Sequence, residues 1–151
     1  MQGIKRYIQI YTGNGKGKTT AALGQAIRAA GHGLKTIILM FMKDHPYGEL
    51  KTLEKLQEFI KVERFGNDAF VFRKQPPDES DLANAHKGLM RAKEVLLSKN
   101  YDIVILDEIC VTTYFKLIEP KDVIPLLKEK PDEVELILTG RYCPGEWLEL
   151  A

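Results

Sequence analysis

The sequence predicts an α/β fold, with a mostly parallel sheet and helices on both faces. Short β-prone runs alternate with helix-forming stretches along the chain. Two runs, KTIILMFM (35–42) and DIVILDE (102–108), are almost continuously apolar, as expected of strands covered on both faces. The residues with unusual chemistry fall at the carboxyl ends of the runs, the edge where such sheets bind ligands.

The first strand, RYIQIY (6–11), runs into a glycine-rich loop. TTAALGQAIRAA (19–30) is made of strong helix formers, and GHG (31–33) stops it. After the second strand comes a loop, KDHPYGEL (43–50), then helical spacing over 50–59 and a short alternating strand, IKVERF (60–65). GNDAFVFRKQPPD (66–78) has turn residues at both ends and reads as a loop. Asp78 or Ser80 caps a long helix reaching to about residue 98. The strand at 102–108 ends in two carboxylates; a short helix over 121–129, a strand VELILTGR (134–141) and a helical stretch from Pro144 follow. No repeat, low-complexity tract or linker interrupts the 151 residues, which read as one domain.

With 22 basic and 21 acidic residues, the net charge of +1 gives no global field for nucleic acid or an anionic membrane. No apolar run is long enough for a bilayer span or a signal peptide. Cys110 and Cys143 follow no metal-ligand spacing and make no disulfide framework, which favours a reducing compartment. The expectation is a soluble, cytoplasmic protein.

The stretch YTGNGKGKTTAAL (11–23) resembles the phosphate-binding pattern G-x-x-x-x-G-K-[ST], with one departure. Anchored on Gly17, Lys18 and Thr19, the pattern wants a glycine at position 12, and Thr12 stands there. The loop is one residue short. Glycines at 13, 15 and 17 let backbone N–H groups approach phosphate oxygens, and the following helix aims its positive end there. Lys18 supplies a cation and the Thr19 hydroxyl a ligand for Mg²⁺. A chance glycine-rich turn is the bland alternative, and the strand before and helix after the loop weigh against it. In IVILDE, four apolar residues drive Asp107 and Glu108 to the tip of a buried strand, where a carboxylate holds Mg²⁺ directly or through water.

Arg141 ends the last strand, either as a bidentate phosphate clamp or as a surface arginine. Lys43 and Glu49 share the same predicted edge. His32 in its Gly-His-Gly turn reads as a packing residue, His45 and His86 have no partner at metal-ligand spacing, and Cys110 reads as a small core residue. Phe70 and Phe72 either tuck onto the body of the protein or form a platform for a large flat ligand.

Together these residues resemble the P-loop type of corrinoid adenosyltransferase, and the likeness covers nearly the whole chain. TGNGKGKTTAALG…RAAGHG, with the shortened loop, then FMK…YGE (Phe41 to Lys43, Tyr47 to Glu49), DIVILDE and LTGR occur in the family's order. The resemblance implies a P-loop NTPase-like (RecA-like) sheet and transfer of the 5′-deoxyadenosyl group of ATP to the Co(I) of a reduced corrinoid, cob(I)alamin or cob(I)yrinic acid a,c-diamide. Triphosphate is released, in adenosylcobalamin biosynthesis or salvage. The shortened loop is associated with ATP bound in the reverse sense, its ribose carbon toward the reacting partner.

By position, the resemblance gives the nucleotide to Gly13, Asn14, Gly15, Lys16, Gly17, Lys18, Thr19, Thr20 and Arg141. Lys18 and Glu108 are its catalytic residues, and Thr19, Asp107 and Glu108 hold Mg²⁺ or Mn²⁺. Phe70 and Phe72 face the corrinoid. It also implies a homodimer, and flavodoxin or a flavin reductase as electron donor. Many relatives carry Phe-x-Trp where this chain has Phe70-x-Phe72, and relatives continue past "GEWLELA" into a further strand and tail. The chain therefore reads as a single nucleotide-binding domain over 1–151, lacking that strand and tail. The competing readings are an ordinary P-loop NTPase or small-molecule kinase, and a binding module without turnover.

Overall fold

The computed structural model describes residues 5–43 and 48–151. His45, Tyr47 and the rest of 44–47 lie outside them. Five strands form one sheet: β1 (Ile8–Tyr11), β2 (Thr36–Phe41), β3 (Ile60–Phe65), β4 (Ile103–Asp107) and β5 (Glu135–Thr139). Their order is β1-β5-β4-β2-β3, and every pairing is parallel. All strand C-termini therefore share one edge. The helices are α1 (Lys18–Gly31), α2 (Gly48–Glu54), α3 (Ala69–Phe72), α4 (Glu79–Ser98), α5 (Ile109–Tyr114), α6 (Pro120–Lys128) and α7 (Gly145–Leu148).

Strand side chains alternate between faces, and two cores follow from that parity. Ile37, Leu39, Phe41, Val104, Leu106, Leu136 and Leu138 point to one face, where they pack with buried residues of α4, α5 and α6. Ile38, Met40, Ile103, Ile105 and Ile137 point to the other and meet α1 and Leu53 of α2. The same odd-numbered parity carries Asp107 and Thr139 onto the α1 side of the edge. The apolar runs at β2 and β4 are buried throughout because both their faces are covered.

Two expectations need correction. The helix expected over 50–59 stops at Glu54 and the chain turns into β3, with Leu56 N–H donating to Leu53 O and Phe59 N–H to Leu56 O. The segment read as a loop at 66–78 contains the helical turn α3. ICVTTY, to which the sequence assigns no element and whose β-branched residues disfavour helix, forms α5 directly after β4. Its hydroxyls bond back along the helix, Thr112 Oγ1 donating to Glu108 O at 2.7 Å and Thr113 Oγ1 to Cys110 O at 2.6 Å. Of the two expected caps for α4, Asp78 is the one used. Its carboxylate accepts from Asp81 N at 2.9 Å, and Asp81 reciprocates to Asp78 N at 2.9 Å.

Gly88 brings α4 close to the sheet. A Cβ there would lie 2.5 Å from Phe41 Cε1 and 3.1 Å from Phe65 Cγ. Phe41 is fully buried and cannot swing away. Gly88→Ala is therefore expected to destabilise by about 1–3 kcal/mol despite alanine's better helix propensity, seen as a lower midpoint in a thermal melt. Near the chain end, the buried Trp147 indole donates to Pro120 O at 3.0 Å and fastens α7 to α6. Among the described residues no helix is long and apolar enough to cross a membrane.

Candidate active site

The glycine-rich loop lies between β1 and α1 at the shared edge. Gly13, Gly15, Lys16 and Gly17 all have positive φ, at 104°, 63°, 69° and 71°. At Gly15 an added Cβ would meet nothing within 4 Å, so conformation rather than space calls for glycine. Lys18 opens α1, and its Nζ donates to Gly15 O at 3.2 Å across the loop. Thr12, in the position where the longer pattern has glycine, donates through Oγ1 to Gly140 O at 2.8 Å. That bond ties the loop's start to the end of β5. Gly140 in turn packs against α5: at φ 133°, an added Cβ would sit 2.9 Å from Cys110 Cβ and 3.0 Å from Val111 N.

Thr19 and Asp107, paired only through motif logic in the sequence, are in direct contact. Thr19 Oγ1 donates to Asp107 Oδ1 at 2.9 Å, and Thr139 Oγ1 donates to the same oxygen at 2.7 Å. Thr139 also accepts from Glu108 N at 3.0 Å. Lys43, which follows β2, completes the group, its ammonium 2.5 Å from Asp107 Oδ2 and 3.2 Å from Thr19 Oγ1. Sequence reasoning missed Thr139, because a β-branched residue at a strand end looks like ordinary strand. Glu49, also expected at this edge, lies in the first turn of α2.

Glu108 follows Asp107 in the left-handed region, φ 66°, and forms the N-cap position of α5. Burial raises its carboxyl above the ordinary 4.5, opposed by Lys43, reinforced by the Asp107 charge, and opposed again by Lys18 and Arg141. Three cations thus converge on one carboxylate. A raised acid contributes stability below about pH 4.5 that is lost as pH rises through its folded-state value, so at neutral pH the buried anion weakens the fold. Glu108→Gln is expected to raise the melting temperature at pH 7–8, flatten its pH dependence above pH 4.5, and lower activity at least tenfold.

Arg141 is exposed, its guanidinium 5.5 Å from the Tyr142 ring centroid. Tyr142, at φ 61°, stacks on Tyr114 with centroids 4.1 Å apart. Tyr114 continues edge-on to Phe115 at 5.2 Å, and Phe115 to Phe70 at 5.5 Å. This aromatic row had no sequence signal. The corrinoid-facing pair separates: Phe70 is 6% exposed and packs in the core, while Phe72 is 75% exposed. Two residues on a helical turn differ by about 200°, so α3 cannot present both rings on one side. In this conformation only Phe72 can offer its face.

Asn14, Lys16 and Thr20 are exposed around the phosphate loop. His32 caps the C-terminus of α1 and is exposed rather than packed, and His86 is exposed on α4. Cys110 is buried as expected, and the fold brings it against Cys143. The neighbouring Cys143 thiol, then burial, pushes the Cys110 thiol upward, and Cys110 in turn lowers Cys143.

A model of the ATP:corrinoid adenosyltransferase BtuR/CobO/CobP family matches residues 4–151. The chain belongs to this family. A corrinoid adenosyltransferase of Escherichia coli is 39% identical over 151 residues, covering 99% of this chain and 75% of that protein. Corrinoid adenosyltransferase CobA of Salmonella typhimurium is 36% identical over 145 residues, covering 95% and 72%. A Sinorhizobium corrinoid adenosyltransferase is 33% identical over 150 residues, covering 97% and 69%.

The donor set of this family member suits a hard divalent ion. Thr19 and Asp107 in contact, with Glu108 next along the chain, offer only oxygen atoms. Among the described residues no group of three or more His, Cys, Asp or Glu could hold a metal ion by itself. Such a set fits Mg²⁺, which takes one or two carboxylates and leaves its other positions to water and phosphate.

Proposed function

We propose that the chain transfers the 5′-deoxyadenosyl group of ATP to the Co(I) of a reduced corrinoid and releases inorganic triphosphate. The observation that carries this is the family match over 4–151, in a chain whose shortened loop GNGKGKT stands at a parallel-sheet edge. The electron pair on Co(I) forms the Co–C5′ bond while the C5′–O bond breaks, and the oxygen leaves with its pair on triphosphate. Negative charge therefore grows on the leaving group, which Lys18 and Arg141 stabilise from the loop and the β5 tip. Mg²⁺ or Mn²⁺, held by Thr19, Asp107 and Glu108 together with the triphosphate, would add charge neutralisation. Co(I) carries no proton, so Glu108 serves position and charge rather than proton abstraction.

In this reading Gly13 to Thr20 cradle the triphosphate, and ATP lies reversed so that its ribose faces the open edge. Phe72 meets the corrinoid, and Phe70 supports the platform from below through Phe115. Residues 1–151 act as one nucleotide-binding domain that works as a dimer in the cytoplasm, with flavodoxin or a flavin reductase supplying Co(I).

The test is product identity with ATP, Mg²⁺ and chemically reduced corrinoid. A light-sensitive Co–C product with equimolar triphosphate, read by absorbance and phosphorus NMR, is expected. ADP with phosphate or a phosphorylated product would replace this reading by an ordinary NTPase or kinase. Corrinoid binding without adenosylation over many equivalents would leave a binding module.

A further inference from the structure

Lys43 occupies the two atoms that a divalent ion would need. Its Nζ donates to Asp107 Oδ2 at 2.5 Å and to Thr19 Oγ1 at 3.2 Å. Thr19 meanwhile spends its own hydrogen on Asp107 Oδ1 at 2.9 Å, the oxygen that also accepts from Thr139 at 2.7 Å. A metal binds through oxygen lone pairs. The ammonium is bonded to the Thr19 hydroxyl oxygen and to the Asp107 oxygen that neither threonine uses. The lysine side chain is 15% exposed and the carboxylate 1%, so water screens the pair poorly.

We infer that Lys43 is an internal counter-ion that keeps divalent metal out of the nucleotide-free protein and releases Asp107 and Thr19 when a triphosphate arrives. This rests on the proposed metal site at those two residues. Mg²⁺ sits about 2.0–2.1 Å from its oxygen ligands, which leaves no room for an ammonium bonded to the same two atoms. Lys18 and Arg141, both close enough to act on Glu108, add positive potential that opposes a lone incoming cation. A triphosphate reverses the balance. Its oxygens accept charge-assisted hydrogen bonds from the displaced ammonium and bring negative charge to the ion. Metal and nucleotide binding are then coupled, and by linkage each strengthens the other.

The experiment is a titration of the nucleotide-free full chain with Mn²⁺, followed by electron paramagnetic resonance of the free ion. Lys43→Met is expected to bind Mn²⁺ about tenfold or more tightly than the unaltered protein, within the usual range of site-to-site coupling. Lys43→Arg, which keeps the charge, stays weak, and adding Asp107→Asn to Lys43→Met removes the gain. Should Lys43→Met fail to fold, Lys43→Gln, which keeps a hydrogen-bond donor toward Asp107, takes its place. Equal Mn²⁺ affinity with and without the lysine charge overturns the inference, even where Asp107→Asn still weakens Mn·ATP binding. If Asp107→Asn leaves Mn·ATP binding unchanged, the metal-site reading fails and takes the inference with it.

Discussion

Lys18→Ala is expected to lower kcat/KM for ATP by about 10²–10³-fold, the usual loss when one preorganised donor to developing charge is removed. The residue opens α1 beneath a loop of left-handed residues, and its ammonium makes a 3.2 Å contact to Gly15 O at the surface. That contact carries little of the fold, so the melting temperature should barely move, as for other substitutions at exposed positions. Steady-state kinetics with a thermal melt separates the effects. Loss of activity that merely tracks loss of folded protein would remove Lys18 from the chemistry.

Asp107→Ala should do the opposite, damaging fold and activity together. The carboxylate is 1% exposed and accepts from Thr19, Thr139 and Lys43. Removing it takes a charged acceptor from the largely buried Lys43 ammonium and from two hydroxyl donors, which should cost about 3–5 kcal/mol. For a chain of this size that is roughly 6–20 °C in melting temperature, at about 2–4 °C per kcal/mol. The contrast with Glu108 is the sharper test. The two carboxylates are neighbours in sequence, yet neutralising Glu108 should stabilise the protein while removing Asp107 destabilises it. Equal destabilisation by both would show that burial does not raise Glu108 as described.

The parts of the site legible in the sequence were those set by local backbone chemistry. The glycines at 13, 15 and 17 announce positive φ, and the apolar run before Asp107 and Glu108 announces a buried strand tip. A mostly parallel sheet followed from continuous apolar strands separated by helices, and the structure makes every pairing parallel. What the sequence did not display depends on contacts between distant residues. Lys43 lies 24 residues from Thr19 and 64 from Asp107, and nothing local marks a lysine after a strand as their partner. Thr139 was hidden by its fitness for strand, and α5 by the β-branched residues of ICVTTY. The AFVF segment misled because four residues are too few for a helical period to show, so Phe70 and Phe72 looked equally free. The Tyr114–Tyr142 stack joins α5 to the loop after β5, as does the Cys110–Cys143 contact.

The central claim is that the shortened loop, with Thr12 bonded to Gly140, holds ATP reversed so that its ribose rather than its γ-phosphate faces the reacting partner. A structure of the full chain with Mg·ATP tests it most directly. The expected result has the triphosphate wrapped by residues 13–20 and C5′ open toward Phe72. A γ-phosphate pointing to that open side, with C5′ enclosed, would contradict it.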